Sequence, residues 1–124
     1  MPLLIEACPS FRLSLDEHRQ YYGEEITYAV LGDFARHLLQ LHYQPQTDVF
    51  SAVAQVIERF YVEGDPYVQE AATIGLLEGI QNVWGNNDTD PELFVPYLLP
   101  VSAQWWRSLN DFWSGKSQFV GEGL

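Results

Sequence analysis

Between Ile26 and Leu41 the chain sets Ile26, Val30, Phe34, Leu38 and Leu41 at steps of four, four, four and three. That spacing keeps large apolar side chains on one face of an α-helix and cannot serve a strand, whose faces alternate every two residues. Residues 48–63 repeat the pattern with Val49, Val53, Ile57 and Phe60, flanked by Phe50, Val56 and Tyr61. Two long amphipathic helices must bury their stripes against further helices, and no stretch shows strand alternation bounded by hairpin turns. The expected fold is all-α, a single domain over 1–124 with about six or seven helices. Short loops fit either a bundle of antiparallel helical hairpins or a short HEAT/armadillo-like stack.

Prolines and glycines mark the boundaries. Residues 3–8 read as a short helix closed by Pro9. Ser14 and Glu17 have capping-box spacing and would open a helix over 15–22, ended by Gly23. Pro45 closes the helix over 26–43. Thr47 is placed to cap the next one, with Asp48 suited to its positive end, and Gly64 falls where a left-handed residue is wanted after it. Asp65-Pro66 restarts the chain as an N-cap followed by proline at the first helical position. The helix over 66–84 turns Val68, Ala72, Gly75, Leu76, Ile80 and Val83 inward. Gly75 and Gly79 each cost about 1 kcal/mol against alanine, which points to close approach by a neighbouring helix. After a polar loop, Asp90-Pro91 opens a short helix to Leu99, kept short or irregular by Pro96. A last helix over 102–114 carries Trp105, Trp106, Leu109, Phe112 and Trp113. Residues 115–124 form a loosely held tail.

Seventeen acidic and six basic side chains give a net charge of −11. Binding to nucleic acid or to anionic membrane rests on clustered Lys and Arg, and the six cations here form no stripe. A basic partner suits this field, although acidity also keeps a small protein soluble. Cys8 is the only cysteine, so no intrachain disulfide forms and the cytoplasm is the expected compartment. The first residues lack the basic and apolar regions of a signal peptide, and no stretch has the length to span a bilayer.

Signatures of chemistry are sparse. Asp33 and His37 stand four apart on one helix, a spacing that offers two metal ligands, but no cysteine pair or His-Glu-x-x-His motif completes a site. The carboxylates Glu24-Glu25 and Asp88/Asp90/Glu92 lack calcium-loop order. Cys8 lies in an apolar segment beside Glu6, which suits a small buried side chain better than a reactive thiolate. Neither phosphate-binding glycine loop nor Gly-x-Ser-x-Gly elbow is present. No metal, cofactor or catalytic residue is assigned.

The aromatic residues carry more information. Four Trp, seven Tyr and seven Phe are many for 124 residues. Trp105 and Trp106 point about 100° apart on a helix, so one suits the core and the other a rim or groove. Acids dominate residues 63–124, where nine acidic side chains face two basic ones. Helix capping accounts for Asp65 and Asp90, but Glu70 and Glu78 are not caps and lie eight apart on roughly one face. Glu63, Asp65, Tyr67, Glu70, Glu78, Trp84, Asp88 and Asp90 form the candidate partner-binding face. Glu24, Glu25 and Asp33, near Tyr21, Tyr22 and Tyr28, form a rival one.

The segment Gly64–Gln81, with its Gly-Asp, its valine and its Gly-Leu-Leu-Glu, resembles the central motif of a small bacterial all-helical domain family of largely unknown function. Leu99–Trp113 resembles the end of that domain, and Leu4–Phe11 its opening. The family includes immunity proteins of polymorphic and contact-dependent toxin systems. These motifs concern helix starts and close packing, so no catalytic residue is carried across. The resemblance implies a non-enzymatic antidote that binds a cognate toxin domain, a nuclease among the options, and covers its cationic active site. An adaptor with a basic partner is the alternative, and a small metal-dependent enzyme on Asp33 and His37 a third reading. Nothing in the sequence fixes the oligomeric state.

Overall fold

A computed structural model describes residues 2–22 and 28–124. Among them every regular element is helical, as expected. Helix α1 (Pro2–Ala7) leads through a 3-10 turn (Pro9–Phe11) into α2 (Arg12–Tyr22), followed by α3 (Tyr28–Tyr43) and α4 (Phe50–Glu63). Then α5 (Pro66–Glu70), a π-helical segment (Ala71–Leu77) and α6 (Glu78–Asn86) run on without a break as one rod. A 3-10 stretch (Pro91–Tyr97) and α7 (Pro100–Trp113) complete the regular elements.

Several boundaries differ from the sequence expectation for local reasons. Ser14 lies inside α2 rather than at its cap, because Pro9 already starts a helical path at the 3-10 turn. Gly23 and Ile26 fall outside the described residues. At α4 the N-cap position is Val49, whose side chain cannot cap. Thr47 contributes only its carbonyl, which accepts the N–H of Phe50 at 3.1 Å. Gly64 is extended (φ −79°, ψ 155°), not left-handed. Glycine is needed there for space: a Cβ would stand 2.3 Å from the Phe60 carbonyl oxygen. Both Asp-Pro starts form as read, with Asp65 accepting the N–H of Val68 and Asp90 that of Glu92, each at 2.9 Å.

Helix α3 packs chiefly against α6 and the π segment, and α4 against α7 and α1, so the principal partners are not sequence neighbours. The α3 stripe buries Val30, Phe34, Leu38 and Leu41 together with Leu31 and Ala35. Gly75 allows the close approach: a Cβ there would lie 2.2 Å from Leu31 Cδ1, while at Gly79 it would meet Ala35 at an ordinary 3.6 Å. Trp84 fills the space between layers, packing on Phe94 and Phe50 and donating Nε1–H to the Ala35 carbonyl at 3.3 Å. Each such large side chain adds about 1.5–3 kcal/mol on burial.

The π segment is tied to α4 by a buried polar chain. The Tyr61 hydroxyl donates to Thr73 at 2.7 Å, and Thr73 donates to the Gln69 carbonyl at 3.0 Å. Gln69 Nε2 in turn donates to the carbonyls of Tyr61 and Gly64. Beyond α7 the tail turns back. Gly115 takes φ +81°, Lys116 N–H reaches the Asp111 carbonyl at 2.8 Å, and Gly115 N–H reaches Phe112 at 3.2 Å, the bonding of a Schellman cap. Gly121 N–H then donates to Ser108 Oγ at 2.6 Å. Among the described residues no helix is long and apolar enough to cross a membrane.

Candidate protein-binding groove

The rod and α7 leave a groove of about 430 Å³ between them. Pro66, Gln69, Glu70, Thr73, Ile74 and Glu78 form the rod's wall. Trp105, Phe112 and Trp113 form the wall from α7, and Val120 of the tail completes the lining. Of the consecutive tryptophans, Trp106 is buried, with its indole N–H on Glu92 at 2.5 Å, while Trp105 faces the groove. Trp105 is held from behind by Tyr61, stacked at 5.6 Å and 8°. Ile74 is 43% exposed and Trp113 58%, so apolar surface continues out of the groove.

Two carboxylates and no cation line this groove. Among the described residues neither Glu70 nor Glu78 forms an ion pair. Tyr28 lies near Glu70 and Tyr67, and its phenol is held above its ordinary pKa first by desolvation and then by the negative charge of Glu70. The arrangement presents an apolar aromatic surface beside uncompensated negative charge.

Glu70 and Glu78 are therefore brought together, but the other six candidate residues are not joined to them as one face. Tyr67, 75% exposed, is not part of the groove lining; with Leu4, Leu31, Phe60 and Val68 it lines a second hollow of about 190 Å³. Glu63 pairs with Arg59 at 2.6 Å, and Asp65 and Asp90 are occupied as caps. Trp84 is fully buried and is a core residue, not a surface anchor. Asp88 stands at the far end of the rod with φ 58°, the left-handed position of another Schellman cap: Thr89 N–H reaches the Trp84 carbonyl at 3.0 Å and Asp88 N–H that of Gly85 at 3.3 Å.

On the rival face, Glu24 and Glu25 lie outside the described residues, and Asp33 pairs with Arg36 at 2.6 Å. His37 is engaged elsewhere. Its Nε2 is 2.7 Å from Ser10 Oγ, its ring packs on Phe11, and burial lowers its pKa. Among the described residues no group of three His, Cys, Asp or Glu is placed to hold a metal. Cys8 is buried, which raises its thiol pKa.

Ile74, Phe112, Trp113 and Val120 are groove residues that sequence reasoning did not select. The expected last helix carries Phe112 and Trp113, and α7 ends at Trp113 and leaves it open. A protein-family model described as a domain of unknown function (DUF7674) matches residues 1–114. No curated protein and no solved structure matches the chain. Val120, and the turn that carries it, lie beyond the matched segment.

Proposed function

The chain belongs to the DUF7674 family, and for this member of it we propose a protein-binding role: a non-enzymatic, cytoplasmic immunity protein that captures a cognate toxin domain and covers its cationic active site. The observation that carries this reading is the groove between the rod and α7, where Glu70 and Glu78 flank exposed aromatic surface with no cation to balance them. Tryptophan supplies large contact area at an interface, and opposite fields speed encounter and reject wrong partners. The net charge of −11 extends that field over the molecule. The two carboxylates stand ready to pair with Lys or Arg of the toxin, and Trp105, Phe112 and Trp113 to seat its apolar side chains.

The test is affinity capture from the native host with wild type and with the Glu70→Gln/Glu78→Gln double variant, followed by mass spectrometry. The expected result is a basic toxin domain, retained at low salt, lost at high salt and lost by the double variant. Replacing an acid that is buried and paired in the complex costs roughly 2–5 kcal/mol, a solvated rim acid far less. Recovery of a housekeeping protein instead would replace the immunity reading with that of an adaptor.

A further inference from the structure

Resting on the reading of this groove as the site for a basic partner, we infer that what enters it is an amphipathic α-helix of that partner, with its basic edge along Glu70 and Glu78 and its apolar face on Trp105, Phe112 and Trp113. Both walls are helical, so their backbone N–H and C=O groups bond within their own helices. Among the described residues no strand offers an edge. An extended peptide would therefore find no main-chain partners and would lay its own polar backbone on an apolar floor. A helix brings its backbone bonds with it and presents only side chains.

The charges support the same occupant. Glu70 and Glu78 flank the π-helical segment on one wall of the groove, roughly two helical turns apart along the rod. A helix lying alongside shows cations at that spacing when they are seven or eight residues apart. Carboxylates stand on one wall and aromatics on the other, so the matching helix is basic along one edge and apolar along the next. The apolar surface of Ile74 and Trp113 continues beyond the groove, as an elongated occupant requires.

The probe is a dye-labelled Leu/Lys peptide of about five helical turns, read by fluorescence anisotropy. Two companions are used, one with a central proline and one with every Lys replaced by Glu. The helical Leu/Lys peptide should bind. Affinity should fall at least tenfold for Glu70→Gln/Glu78→Gln, for Trp113→Ala, for the proline peptide and for the Glu peptide. It should change less than twofold for Asp16→Asn/Glu17→Gln, which removes the same charge from exposed positions on α2. If the proline peptide binds equally and keeps its dependence on Glu70 and Glu78, the helix is overturned while the basic-partner reading stands. Equal losses from the α2 pair, no loss from the groove pair, or equal binding of the Glu peptide would overturn the groove reading itself. Circular dichroism of each variant separates loss of binding from loss of fold.

Discussion

Glu58 of α4 accepts the backbone N–H of Ser102 at 2.8 Å, so the start of α7 is capped by a carboxylate from another helix. Glu58 also accepts the N–H of Val101 at 3.0 Å and the Ser102 hydroxyl at 2.8 Å. Leu99 holds the N-cap position of α7 and has no side chain that can do this. Glu58→Ala leaves those donors without their acceptor and removes one tie between α4 and α7, which also meet where Tyr61 stacks on Trp105. The expected cost is about 1–2 kcal/mol, measured by urea denaturation. An unchanged midpoint would mean that water replaces the carboxylate without loss.

The same contact sets a pH dependence. Partial burial acts to raise the Glu58 pKa, but the bonds from Ser102 and Val101 outweigh it and hold the carboxyl below its ordinary value. A group whose folded pKa is depressed stabilises the fold above its unfolded pKa, about 4.3 for Glu. That contribution disappears as pH falls through the folded value. Glu58→Gln should therefore lower Tm at pH 7, and the gap to wild type should narrow as the medium is acidified below about pH 4. A gap that stays constant would exclude a charged cap.

Two glycines of the 64–86 region should respond in opposite directions to alanine. At Gly64 the new Cβ would meet the Phe60 carbonyl at 2.3 Å and Val68 Cγ1 at 2.6 Å, and backbone cannot step aside as a flexible side chain can. Gly64→Ala should destabilise by about 1–3 kcal/mol. Gly85 is helical and a Cβ there meets nothing within 4 Å. Gly85→Ala should stabilise by about 0.5–1 kcal/mol through helix propensity. Thermal unfolding of the two variants side by side checks the sign of each.

Asp88 shows how an acid selected for binding can owe its position to backbone geometry. Its φ of 58° is one that L side chains adopt at a cost, with Asp among the more tolerant. Asp88→Gly should raise stability by about 0.5–1 kcal/mol. Because Asp88 is outside the groove lining, the same variant should keep partner affinity within twofold in the peptide titration. A tenfold loss would return the far end of the rod to the binding surface.

The sequence made the all-α class, the α3 and α4 stripes and both Asp-Pro caps legible, because those features are local and repeat with the helix period. Gly75 was legible for a related reason, since a helix interior carries glycine at a cost that packing must justify. The start of α7 was not. Its expected start is near Ser102, although Pro100 suits the first helical position, and the acceptor that caps its first turn, Glu58, is far away in sequence. The candidate face failed for a similar reason. Spacing along one helix placed Glu70 and Glu78 together, but it could not show that Trp84 turns into the core or that α7 and the tail supply the opposite wall.

Gly121 links that tail to the groove. It takes φ +90°, and a Cβ there would lie 2.8 Å from Trp105 Cζ3, so the turn sits flush against the aromatic ring that faces the groove. Gly121→Ala combines an unfavourable backbone conformation, about 1 kcal/mol or more, with a clash against a ring already held by Tyr61. The tail, not Trp105, is the element free to yield: Phe119 and Leu124 are each 58% exposed and add little to the core. The variant should therefore show faster proteolysis within residues 115–124 and a nearly unchanged global unfolding midpoint. With Val120 displaced from the lining, affinity for the Leu/Lys helix should fall several-fold. Wild-type protease resistance together with wild-type affinity would mean that the turn adjusts in place and that the groove does not depend on it.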